Sequence, residues 1–237
     1  MARASAAGWA IAVLLAVPMS IAPLLAQTPP SSLTAVVARL GLTGPGIQEW
    51  LGRLGVAGDR PVHERLLAVS STGEILGALD GLENSVVVTP EFDGQLVREG
   101  ASIVLVHNHP ANTSLSQQDL GQLEKAGVTA IIAVGHDGSV YAAAKRLSSA
   151  KAQRCSPECY SKAREEVSKT LRIELPRMAT NAEVAASFAT HLTMLALAKA
   201  GYFDYFAALP SERRAIFDTH IVEFSRVVAS ARAVVEK

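Results

Sequence analysis

An apolar run, Ile103-Val104-Leu105-Val106, ends directly on His107-Asn108-His109-Pro110. Four consecutive aliphatic residues at this length predict a buried central strand. Alternate residues of an extended chain share a face, so His107 and His109, placed at the strand's end, can turn their imidazoles the same way. One metal ion would then receive two ligands. The chain must build a sheet around this strand.

A catalytic zinc site keeps three protein ligands at about 2.0 to 2.2 Å and leaves a fourth position open. Asp119 is the candidate third ligand. The loop from Pro110 to Leu115 is long enough to fold back, after which Ser116-Gln117-Gln118-Asp119 opens a helix. Plainer readings exist for each half. The histidines could simply end a strand, and Ser116-x-x-Asp119 has the form of a capping box. The two halves in sequence, with a strand before and a helix after, favour the metal.

Strand and helix patterns surround this core motif. Leu66 to Ser70 and Glu74 to Leu79, separated by Ser71-Thr72-Gly73, predict a hairpin, and Ser85 to Thr89 a third strand. Glu91 to Glu99 and Ser116 to Ala126 suit helices. Thr129 to Val134 reads as a second buried strand, followed after Asp137-Gly138 by Val140 to Ala144. The order is β-β-β-α-β-α-β-β, an α/β sandwich. Upstream, Leu33 to Leu54 predicts one or two short helices broken at Gly44-Pro45-Gly46. Downstream of Lys145 the expectation is an all-helical extension, with one helix from Glu183 to Lys199 and a long one through Ile216 to Val235.

The 237 residues carry 22 basic and 22 acidic side chains, so nothing draws the whole chain toward nucleic acid. Residues 1–26 differ from the remainder: Arg3 is their only charge, and an apolar run is followed by small residues and proline. This is the pattern of a secretory signal cut after Ala26, making the mature chain periplasmic or secreted. The alternative is an uncleaved membrane anchor. Cys155 and Cys159, the only cysteines, could bridge in an exported protein or remain as two thiols.

The sequence His107-Asn108-His109-Pro110, a short loop and then Ser116-x-x-Asp119 resembles the signature of JAB/MPN (JAMM) metalloproteins. Its form is closest to the bacterial branch that includes RadC-like and phage- or toxin-associated domains. The common spacing has seven residues before the serine, and this chain has six. The resemblance implies a cytidine-deaminase-like three-layer sandwich with a mixed sheet over residues 61–147. Segments 27–60 and 148–237 would be a linker with short helices and a helical extension. It also implies one zinc ion on His107, His109 and Asp119, an oxyanion-supporting Ser116 and an upstream glutamate that activates water.

Glu64, at the start of the first strand, suits that last role better than Glu74, which follows turn residues. The expected activity is hydrolysis of a peptide or isopeptide bond in a peptide or protein substrate. The family has inactive members, so a scaffolding protein using its C-terminal helices for partner contacts is the alternative. A RadC-like association with DNA sits poorly with the charge balance and the leader.

Overall fold

Period-two alternation splits each central strand between two buried layers. The strand β1 (Arg65–Ser70) sends Leu66 and Ala68 to one face and Leu67 and Val69 to the other. In β3 (Ile103–His109), Ile103 and Leu105 take the first face, Val104 and Val106 the second. The strands β4 (Val128–Gly135) and β5 (Val140–Ala144) divide in the same way. The computed structural model describes residues 32–42, 46–56, 63–83, 85–98, 102–146, 155–178, 180 and 182–237. The leader expectation over residues 1–26 and the Gly44-Pro45 part of the expected helix break lie outside them.

With β2 (Ile75–Asp80) and β6 (Asp204–Ala208) the strands form one sheet in the order β2-β1-β3-β4-β5-β6. Among the described residues only β3 and β4 pair in parallel. A parallel pair needs a crossover, and the loop after His109 together with α4 (Gln117–Leu123) supplies it. The sheet's second face is covered by α1 (Leu33–Arg39) and α2 (Ile47–Arg53), through Val36, Val37, Trp50 and Leu54. Trp50 is fully buried and its indole nitrogen donates to the Gly73 carbonyl at 3.0 Å. Gly73 holds φ at 91° in the β1–β2 turn, a conformation glycine adopts without a Cβ penalty.

The first face packs against α3 (Pro90–Arg98), α4, α5 (Pro157–Glu174) and α7 (Ala189–Lys199). Helices therefore lie on both sides of a mixed sheet, which is a three-layer α/β arrangement. The far sides of α5 and α7 join α6 (Ala182–Ser187), α8 (Ser211–Thr219) and α9 (Ile221–Val235) around Phe188, Phe217 and Phe224. No helix of the described residues is long and apolar enough to cross a membrane.

Several expectations are corrected. The segment beyond Lys145 is not all-helical: Asp204 to Ala208 pairs antiparallel with β5. Five residues with no clear alternation carry little strand signal, and their partner lies some sixty positions earlier. Ser85 to Thr89 is not a strand. Leu82 and Ser85 form one isolated bridge, after which Val86 and Val88 lean on the core without a ladder. Alternation reports which way side chains face, and it does not guarantee a pairing partner. The long C-terminal helix breaks at His220, which caps α8 and opens α9, and the helix expected from Glu183 divides at Phe188. Of the two alternatives open for Cys155 and Cys159, the structure has the free thiols.

Candidate metal centre

The odd-numbered side of β3 runs Ile103, Leu105, His107, His109, so the histidines emerge where the buried face opens into a cleft of about 240 Å³. The apolar run alone predicts a strand that stops short of the pair, whereas the structure keeps both histidines inside it, paired with β4 as far as His109 opposite Gly135. Their Nε2 atoms lie 2.8 Å apart. His109 Nδ1 donates to the Thr113 carbonyl at 2.8 Å, because a carbonyl only accepts. That bond leaves the lone pair of neutral His109 on Nε2, directed toward His107.

Asp119 arrives from the first turn of α4. Its Oδ2 accepts from the Ser116 amide at 2.6 Å, and the Ser116 hydroxyl accepts from the Asp119 amide at 3.2 Å. The capping box is therefore real. It coexists with the other arrangement: Asp119 Oδ1 lies 3.2 Å from His107 Nε2, and Oδ2 lies 3.7 Å from His109 Nε2. A single carboxylate uses the helix N-terminus as its anchor and turns a free edge to the histidines.

Glu64 precedes β1 and is held by backbone bonds to Leu82 and Gly81. Its Oε1 stands 3.8 Å from His107 Nε2. Ligand atoms of Glu64, His107 and His109 all fall within 4.8 Å of one another, and all three residues are buried. Glu74, the competing glutamate, is exposed beside the hairpin turn, far from this role. Glu64, His107, His109, Asp119 and Ser116 thus line one cleft, with Leu66, Val86, Val88, Pro110 and Ile131 as its apolar walls.

Burial and close approach set the ionisation of these groups against one another. Burial alone would raise the Asp119 carboxyl, but the charge and hydrogen bond of His107, with His109 and the Ser116 amide, hold it well below the usual carboxylate range. Burial would lower His107, and is outweighed by Asp119, Glu64 and the Ile132 carbonyl, so its imidazole is raised. Burial and the His107 charge push His109 down to about 4 against the pull of Asp119. Glu64 is raised, chiefly by burial. A metal ion among these two carboxylates and two imidazoles would compete with protons for the same donor atoms. The group Glu64, His107 and His109 could hold such an ion. Tetrahedral bonds of about 2.1 Å set donors roughly 3.4 Å apart, close to the spacings found.

Three contributors went unread in the sequence. Thr113 acts through its carbonyl, which no side-chain pattern reveals. Gln122 lies one turn after Asp119 on the cleft side of α4, and its Oε1 is buried without a hydrogen-bond partner. The spacing of three from Asp119 could have shown it. The third is Asn108, whose alternation sets it on the face opposite the histidines.

What the fold and site define is a mixed α/β protein with a buried histidine and carboxylate cluster at an open cleft. In comparison with known proteins, the chain matches no family model, no curated protein and no solved structure.

Proposed function

We propose that this chain is a zinc-dependent hydrolase of the JAB/MPN type that cleaves a peptide or isopeptide bond. The observation that carries the reading is the convergence of two imidazole nitrogens and two carboxylates at the floor of a cleft whose wall holds the Ser116 hydroxyl. His107, His109 and Asp119 would hold the ion. Zinc bound there supplies a Lewis acid that lowers the pKa of water toward about 7.

Glu64 would do the proton work. Its approach to His107, at 3.8 Å, is longer than that of Asp119 at 3.2 Å, which suits a base standing beside the ligands. Burial raises its pKa, and a raised carboxyl both takes a proton from attacking water and passes it on to the leaving amine. Ser116 accepts a bond from the Asp119 amide, so its hydroxyl hydrogen remains to donate to the developing oxyanion. Gln122 Oε1 offers an acceptor for a substrate N–H. The leader pattern adds export to the reading, with the mature chain beginning at Gln27, which N-terminal sequencing of the exported protein would check.

The test is Glu64→Gln. The variant is expected to bind zinc one to one and to lose at least about 100-fold in hydrolysis, the lower range for a general base. Full hydrolysis by the variant would remove Glu64 from this role, and a purified protein that takes up no zinc would remove the whole reading.

A further inference from the structure

Asn108 is fully buried between the two histidines, yet its side-chain hydrogen bonds go elsewhere. The even-numbered residues of β3 face the α1 and α2 layer, where Val104 and Val106 are both apolar. An amide in that series costs free energy unless its bonds are met. Two of the three bonds it makes lead to one place. Oδ1 accepts from the Arg65 amide at 2.6 Å and Nδ2 donates to the His63 carbonyl at 3.1 Å. Arg65 N–H only donates, which fixes which end of the amide is oxygen. Nδ2 also stands 3.3 Å from His136 Nε2.

The two backbone partners flank Glu64. In a parallel ladder a residue donates to the carbonyl before its partner and accepts from the amide after it. The Asn108 side chain reproduces that pattern with Glu64 as the partner. It is needed there because the ladder between β1 and β3 ends at Leu66 opposite His107. Beyond that pair, the Glu64 backbone bonds only on its far side, its amide to Leu82 at 2.7 Å and its carbonyl to Gly81 at 2.8 Å.

We propose that Asn108 is a positioning residue for Glu64: its amide serves as the missing sheet neighbour and fixes where the Glu64 carboxylate meets the histidine cluster. The inference rests on the reading of Glu64 as the proton-transferring group. One residue triplet therefore does two tasks from opposite faces of a strand, with ligands on one side and the alignment of the base on the other.

The test compares the zinc-loaded full chain with Asn108→Leu, which keeps the volume, and Asn108→Asp, which keeps an acceptor for the Arg65 amide. Hydrolysis of a fluorescence-quenched peptide library, zinc affinity by chelator competition and exchange of the Arg65 amide are measured. For Asn108→Leu, kcat per bound zinc is expected to fall about 30-fold, less than the roughly 100-fold or more that loss of the base itself costs. KM and zinc affinity should stay within about threefold, and Arg65 exchange should quicken at least about tenfold while β4 stays protected. Asn108→Asp should recover part of the loss, and it carries the test alone if the leucine variant does not fold. Adding Asn108→Leu to Glu64→Gln should cost nothing further, since both act through one carboxylate. A further 30-fold fall in that double variant, or unchanged Arg65 exchange, would overturn the inference. Absence of hydrolysis by zinc-loaded wild type would instead remove the hydrolase reading, and the Arg65 exchange would then decide the inference by itself.

Discussion

Asp119 serves two masters, and substitution separates them. Ser116→Ala removes the cap hydroxyl but leaves the carboxylate, so it should cost about 1 kcal/mol in urea unfolding of the metal-free protein and change zinc affinity less than about threefold. Asp119→Asn keeps an oxygen for the Ser116 amide and removes the charge facing His107. Zinc affinity should then fall at least about 100-fold by chelator competition, beyond the usual effect of a supporting residue. Equal losses from the two variants would mean that Asp119 is a cap alone. At this scale much was legible beforehand. His107, His109, Ser116 and Asp119 are close in sequence, so spacing and the family resemblance point to them, and the turn residues before Glu74 set it apart from Glu64. Asn108 was hidden because its partners, His63 and Arg65, are distant in sequence and are backbone groups. Spacing rules see neighbours along the chain, whereas a side chain that stands in for a sheet strand is visible only once the sheet exists.

The elements around the site were legible where a segment carried its own period and obscure where a neighbour imposed its form. Leu66 to Ser70, Ile103 to Val106, Thr129 to Val134 and Val140 to Ala144 all lie in strands. The strand Asp204–Ala208 gains its place from the exposed edge of β5, and Ser85 to Thr89 loses its expected pairing because the bridge at Leu82 diverts it over the cleft. The short helices α1 and α2 would be marginal in isolation. They hold because Trp50 inserts between them and the second sheet face and is pinned to Gly73. Trp50→Ala should therefore lower unfolding stability by about 3 to 5 kcal/mol and speed hydrogen exchange in α1 and α2. The folded fraction should still bind zinc, since the histidines occupy the other face. Loss of zinc stoichiometry in the folded fraction would show that the layer reaches the metal site directly.

Across the whole molecule, the C-terminal third is bound into the crossover loop that follows the histidines. Tyr205 of β6 links Ser114 at 2.7 Å to His191 of α7 at 2.8 Å, and Arg213 of α8 donates to the Asn112 carbonyl at 3.1 Å while its guanidinium lies over Phe188. Asn112 itself holds a positive φ of 55° in that loop. The sequence offered helices here and no reason for them to touch the site, because each link joins residues far apart in the chain. The brace has a pH signature. Burial, with the nearby charges of Arg213 and Arg214, pushes His191 down to about 3, so the folded protein keeps it neutral. In the unfolded chain it titrates near 6.5, and between these values the unfolded state binds the extra proton. The contribution is therefore complete above about pH 6.5 and is lost as the pH falls toward 3, at up to about 1.4 kcal/mol per pH unit. In the metal-free protein, urea midpoints from pH 7.5 to 4.5 should fall steeply for wild type. They should fall less steeply for His191→Gln, which keeps a hydrogen-bonding group for Tyr205 and does not titrate. Parallel pH profiles for the two proteins would show that His191 is not the acid-sensitive element of the brace.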